Sequence, residues 1–475
     1  MTYAPDAPAV PSAPPASGAP PAPGAPVVPP PPPPPAGPPA GRGAWAEGLA
    51  RLRAAATTEP GRLRILGAVL AVLVVAFGAV TALEVSDRAA AADDVVSRSQ
   101  PLSADAADIY RSLADADTAA ASGFLAGAQE PAGVRERYEQ DITTASRLLI
   151  KAAASTDSSS QSARDIATLN EHLPRYTGLI ERARAANRQG LPLGGAYLRY
   201  ANQQMSTQLL PAAERLYEAE TARLDRDDRD ARVWPFLSLG LGVAVLAALL
   251  WAQRRSYLRT NRVFNQGLLA ATAASTVVLL WLAVGHTVAR AQLNEAKVHG
   301  QNSLKVLNEA RINSLKARAN ENLTLVARGA VLTADGKSDK YETDYGTGMG
   351  RLTTALEEAD RLADDSAGDE PVSVAARAVA EWKKRHKDAR DTDNSGDYKG
   401  ALAKVIGPEN STGESFDDVD AALEKALDHE QGEFTRAAED GRGALTGLPV
   451  GAGALAMVGA AAAIMGINRR LSEYR

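Results

Sequence analysis

The sequence predicts an all-α membrane protein, with four transmembrane helices and two extracytoplasmic four-helix-bundle domains arranged as a tandem parallel repeat. Three observations carry that expectation. Four stretches contain no Asp, Glu, Lys or Arg: 65–83, 233–253, 263–289 and 443–468. Arginines stand at the ends of these stretches. Between them lie two long segments with apolar residues at helical spacing. Hydrophobic residues make up 45% of the 475 but aromatics only 5%, so Ala, Leu and Val supply the apolar content and favour helix over strand. There is no cysteine, which excludes disulfides, thiolate metal sites and a cysteine nucleophile.

The elements follow in chain order. Residues 1–40 are proline-rich and include an unbroken run at 29–35, so they cannot pack a core and favour extended polyproline II. With the basic juxtamembrane stretch that follows, residues 1–64 form an expected cytoplasmic tail. The first span, 65–83, is long enough at about 1.5 Å per residue to cross a bilayer core of about 30 Å. It lies too far from the N-terminus for a cleavable signal peptide, so it is expected to be an uncleaved anchor.

Residues 84–232 form the first external domain. Val134, Tyr138, Ile142, Ala145, Leu149 and Ala152 make one stripe; Ile166, Leu169, Leu173, Tyr176, Ile180 and Ala183 make another. Tyr197, Ala201, Met205, Leu209, Ala212, Leu216 and Ala219 make a third. Spacings of three and four put each set on one helix face, to be buried against partner helices. A long first helix leaves the membrane at Glu84, with an interruption expected near Pro101. The second span is 233–253, a basic hairpin occupies 254–262, and the third span is 263–289. Residues 290–442 repeat the plan, with a stripe at Ile312, Leu315, Ala319, Leu323, Val326 and Ala330 and further helices expected near 348–364, 371–390 and 414–442. The fourth span, 443–468, and a tail, 469–475, complete the chain.

Charge sets the expected orientation. The segments 1–64, 254–262 and 469–475 hold twelve arginines against four acids, a net +8, leaving −13 for the rest of a chain whose total is −5. Basic flanks stay cytoplasmic, so both termini are expected inside and both large domains outside. Each unit of span, domain and span has an even number of crossings, so two copies face the same way.

Few motifs carry chemistry. Residues 391–402 place Asp391, Asp393, Ser395 and Gly396 as a calcium loop would, but Leu402 stands where the bidentate Glu belongs; a turn capping a helix that starts near Tyr398 is the plainer reading. Lys383, Lys384, Arg385, Lys387 and Arg390 form a candidate extracytoplasmic patch for an anion or an acidic partner, against the plainer reading of a solvated helix face. Arg254, Arg255, Arg259 and Arg262 are the candidate contact for a cytoplasmic partner. The five histidines show no metal-ligand spacing with one another, and the spans lack the ionisable groups that transport needs. The sequence therefore predicts no enzyme, no cofactor, no metal and no nucleic-acid partner.

Three stretches, "GDYKGALAKVIGPENSTGESFDDVDAAL" (396–423), "HEQGEFTRAAEDGRGAL" (429–445) and "GINRRLSEYR" (466–475), together with four spans and two helical external domains, resemble the GlnX-like membrane proteins of actinobacteria. That resemblance implies a role between a solute-binding lipoprotein outside, which senses acidic amino acids, and a soluble Ser/Thr kinase inside, protein kinase G. The expected function is a transmembrane signal transducer in the lipid bilayer. A structural or scaffolding protein of the cell envelope, or an exporter accessory subunit, is the second reading.

Overall fold

A computed structural model describes residues 59–260 and 265–472. The proline-rich tail, the basic residues before Glu59, Arg262 and the last three residues lie outside that range. The described residues are almost wholly helical; the nearest approach to a strand is an isolated bridge between Leu332 and Asp339. Among the described residues, four helices are long and apolar enough to cross a membrane.

The first half comprises α1 (Glu59–Asp94), α2 (Gln100–Leu125), α3 (Ala132–Ser155), α4 (Gln161–Arg188), α5 (Leu193–Gln204), α6 (Leu210–Arg232) and α7 (Phe236–Thr260). The second comprises α8 (Gln266–Glu295), α9 (Asn302–Ala327), α10 (Lys340–Leu362), α11 (Ser366–Asn394), α12 (Tyr398–Ile406), α13 (Thr412–Leu445) and α14 (Leu448–Ser472). The three stripes of the first half are buried or half-buried, as their spacing requires. In the second half the stripe holds to Val326, but Ala330 is exposed: α9 ends at Ala327, where Arg328 turns into the left-handed region at φ 50°.

The interruption expected near Pro101 is a widened turn rather than a break. Residues Val95–Ser99 are π-helical and join α1 to α2 without a gap, placing Pro101 in the first turn of α2. Proline offers no N–H to the carbonyl four residues back, and a wider turn accommodates the ring. Met205–Leu209, just before Pro211, does the same between α5 and α6. A third π turn, Ala296–Gln301, joins α8 to α9. The spans therefore differ in how they meet the domains. α1 and α8 run on unbroken, whereas Val233–Pro235 interrupts α6 and α7, and Thr446 with Gly447 (φ 78°) interrupts α13 and α14.

The two domains expected as separate bundles share one core. A single buried cluster includes Ile109, Leu113, Leu149, Leu169 and Tyr176 from the first half with Leu315, Leu323, Met349, Trp382 and Val419 from the second. The reason lies in α2 and α9, which are buried nearly all round and rich in small residues such as Ala114, Ala116, Ala119, Ala310 and Ala317. They meet directly: Thr118 Oγ1 donates to Leu315 O at 3.0 Å, and Asn322 Nδ2 donates to Ser122 Oγ at 2.7 Å.

The apolar helices pack on a second core of Leu70, Val74, Phe77, Leu249, Val278, Leu282 and Leu448. α14 lies between α1 and α8 at close range: a Cβ on Gly78 would stand 2.1 Å from Ala456 Cβ, and one on Gly267 would stand 2.3 Å from Ala462 O. Small residues let spans approach this closely, and packing then replaces the hydrophobic effect as the attraction. Outward lie Val72, Leu237, Val284, Val450 and Met457, a belt suited to lipid.

Candidate functional site

Each half buries an acid deep among its helices. In the first half, Asp117 of α2 receives Tyr176 Oη from α4 at 3.1 Å and Asn202 Nδ2 from α5 at 2.7 Å. Among the described residues no cation pairs with it, and burial pushes its carboxyl up to about 6. In the second half, Glu321 of α9 receives Trp382 Nε1 from α11 at 3.2 Å and Arg318 Nη1 at 2.6 Å. His386, one turn after Trp382, places Nδ1 2.8 Å from Glu321 and Nε2 3.1 Å from Glu342.

The electrostatics of this second site are mutual. Burial pushes the Glu321 carboxyl up, but the His386 hydrogen bond and the Arg318 guanidinium outweigh it and hold the group below its ordinary range. Burial pushes His386 down, but hydrogen bonds to Glu321 and Glu342 outweigh it and raise the imidazole to about 9. His386 is therefore a cation at neutral pH and donates from both nitrogens. Tyr345 stacks on it at 3.7 Å, while Arg318 also donates to Thr412 Oγ1 and Val405 O and so ties α9 to α12 and α13.

A charged seam joins the halves. Arg137 of α3 donates to Asp115 at 2.9 Å and reaches Asp420 of α13 at 3.4 Å. Arg311 of α9 donates to the same Asp420 at 2.8 Å. Asp141 lies beside this group; burial first, and then the Asp115 charge, push its carboxyl up to about 8. Among the described residues, three clefts between the halves stand out, the first two reaching the seam. One of about 290 Å³ lies between α2, α6, α9 and α13 and includes Arg111, Tyr217 and Asn308. One of about 440 Å³ includes Arg137, Arg318 and Phe416. One of about 340 Å³ includes Asp117, Asn202, Lys316 and Arg351.

The candidate residues from the sequence fall as follows. Arg254 and Arg255 ride on the last turns of α7, Arg254 exposed and Arg255 with its guanidinium 5.2 Å from the Trp251 ring centre. The side chain of Arg259 lies outside the described residues, as does Arg262. The basic run of α11 is drawn into local pairs. Lys384 and Arg385 meet Glu381, and Arg385 also meets Glu414. Lys387 meets Asp391, Arg390 meets Glu342 and Asp393, and Lys383 donates to Thr353 Oγ1. The calcium-like stretch follows its plainer reading: Asp391 and Asp393 are still helical, and Asp397 caps α12 by accepting from Gly400 N at 2.9 Å.

Sequence reasoning passed over the Glu321 site. The signal was present in Trp382 and His386, four apart on one face inside the basic run. Nothing in spacing connects them to an acid 61 residues away. Sequence spacing also sets no two histidines together. The fold instead gives His299 and His429 carboxylate partners from elsewhere in the chain.

Where the spans meet the helical domains, α1 grips the break between α6 and α7. Arg88 donates to Val233 O at 2.7 Å and to Trp234 O at 3.2 Å, and Glu84 accepts from Ser238 N at 2.8 Å. His286 is buried there, 4.9 Å from Trp234.

Residues 91–229 match the model of a family described as an actinobacterial sensor domain. The match begins in the last turn of α1, takes in α2 to α5 and stops just short of the end of α6. It supports a sensing role for a protein of actinobacterial type. No curated protein and no solved structure matches the chain.

Proposed function

We propose that the chain is a non-enzymatic transmembrane signal transducer built as a tandem parallel repeat. Both termini lie in the cytoplasm and the two helical domains lie outside. It relays the state of an extracytoplasmic amino-acid-binding lipoprotein to a cytoplasmic Ser/Thr kinase. The observation that carries the reading is mechanical. The helices lining the cleft of about 290 Å³ between the halves are those that lead into the spans: α2 and α9 continue from them through π turns, and α6 and α13 connect through breaks. A displacement between the halves is then passed to the inner face as a shift of one pair of spans against the other. The similarity of residues 91–229 to a sensor domain supports the same reading. The order of elements supports the repeat, since each half places a π turn between its first span and the buried helix that follows.

Arg254, Arg255, Arg259 and Arg262 are the inner contact in this proposal, and Lys383, Lys384, Arg385, Lys387 and Arg390 are an outer one. The test is photo-crosslinking in intact cells from positions 254 and 255, with a second probe at position 384. Capture of a cytosolic kinase from the first pair and of a binding lipoprotein from the second supports the relay. Capture of cell-wall or exporter proteins alone would favour the scaffolding reading and remove this one.

A further inference from the structure

The membrane-proximal end of the second half gathers histidines and carboxylates from three elements. Glu295 is the last residue of α8, and His299 stands four residues on, inside the π turn Ala296–Gln301. His429 and Glu433 stand four apart on α13. Spacing of four on a helix puts both side chains on one face. Between the two pairs, the loop from α10 to α11 inserts consecutive acids, Asp364 and Asp365. His299 Nδ1 lies 3.3 Å from Asp364, and His429 Nε2 lies 3.3 Å from Asp365 and 3.5 Å from Glu433. Glu295, His299 and Asp364 bring one ligand atom each to within 4.8 Å of one another, and so do Asp365, His429 and Glu433. A cavity of about 200 Å³ is lined by Glu295, His299, Asp364 and Glu433 together, so the two triads adjoin.

These contacts are not ordinary hydrogen bonds. His299 Nδ1 and His429 Nε2 are closed to solvent and have no hydrogen-bond partner, although carboxylate oxygens stand a little over 3 Å away. Ring nitrogens and carboxylate oxygens that converge from separate elements suit a cation between them. One imidazole with two carboxylates per triad, and no thiolate in the chain, selects a divalent first-row transition ion; calcium and magnesium prefer oxygen alone.

The first half sharpens the argument. At the start of its own π turn, Asp94 and Arg98 stand four apart, as Glu295 and His299 do, and pair at 3.5 Å. A guanidinium built into the chain supplies the positive charge there. In the second half an imidazole takes its place among carboxylates, and the cavity is lined by four acids, Glu295, Asp364, Glu433 and Asp440, against the single guanidinium of Arg436.

We propose that the two triads Glu295–His299–Asp364 and Asp365–His429–Glu433 bind divalent transition-metal ions, joining the base of α9, the loop before α11 and the lower part of α13. This site stands apart from the relay reading: it needs neither the lipoprotein nor the kinase. Asp365 Oδ1, the oxygen that faces His429, also accepts from Ala367 N and Gly368 N, so the start of α11 holds this carboxylate in place.

The test is titration of the full chain in detergent, its affinity tag removed, with Zn²⁺ followed by calorimetry and Co²⁺ followed by visible absorption. Zn²⁺ binding is expected, with His299→Ala and His429→Ala each lowering affinity at least about tenfold, the double variant abolishing it, and Mg²⁺ failing to compete. Asp364→Asn with Asp365→Asn keeps the helix cap and is expected to weaken binding similarly, which guards against a misfolded histidine variant. Absence of Zn²⁺ binding, or binding that survives the double histidine variant, overturns the proposal.

Discussion

Asp117 in the first half and Glu321 in the second make an informative pair. Each sits on the long buried helix that follows a π turn, and each accepts from an aromatic donor on the fourth helix of its half, Tyr176 or Trp382. Their company differs. Asp117 meets only neutral donors, so burial raises its carboxyl to about 6. Glu321 meets a guanidinium and an imidazolium, so the same burial is overcome and it stays ionised. One fold plan thus yields a poised acid in one half and a locked ion network in the other. Neutral donors stabilise a carboxylate less than fixed cations do, and inside a protein that difference decides which form persists.

The strongest way to break this contrast is to delete the acids. Glu321→Ala leaves Arg318 buried without its counter-charge and His386 with Glu342 alone, and is expected to lose about 3–5 kcal/mol in denaturant unfolding. Asp117→Asn leaves no charge stranded and is expected to cost under about 1 kcal/mol by the same measurement. Comparable losses at both positions would show the two sites to be alike.

A second separation comes from pH. The His386 value is raised in the folded state, so its contribution is complete below its ordinary value near 6.5 and is lost as pH rises through about 9. That window is worth roughly 3 kcal/mol. Hydrogen exchange is expected to loosen α11 between pH 7 and 9.5 while α4 stays protected, and His386→Gln should erase the difference. The Asp117 carboxyl is also raised, so folding favours its protonated form: that contribution is complete below about 4 and lost as pH climbs through about 6. Its size is about 2–3 kcal/mol. Asp117→Asn is expected to flatten the stability of the first half between pH 4 and 6.5, read as the pH profile of α4 exchange.

The smallest expected effect tests the contact between the halves. Thr118→Val removes one donor to Leu315 O and should cost about 1 kcal/mol without favouring either half. A larger loss confined to the first half would mean that Thr118 serves that half alone.

The spans were readable because absence of charge over nineteen or more residues is a one-dimensional property. The stripes of α3 and α4 were readable because one face of each meets the core. α2 and α9 hid their role for the opposite reason: they are buried on nearly every side, so the stripe visible on α9 marks only part of what it buries, and the core they share between the halves was not legible. The α11 cations were visible, but Glu414 and Glu342, which pair with Arg385 and Arg390, lie on other helices. Opposite charges distant in sequence carry no mark of their pairing. The His299 and His429 triads share that difficulty, since the residues completing them come from a loop between two other helices.

The π turns also have a consequence for phase. Each adds about one residue to a helix that advances by about 100° per residue. The face that α2 turns toward α9 is therefore not the continuation of the face that α1 turns toward α14, and the same holds where α8 becomes α9. Moving such a turn along the helix by one winding re-aims only the residues it passes and leaves both ends seated. A rod that carries its own phase shifter can rotate its middle while its two cores stay packed.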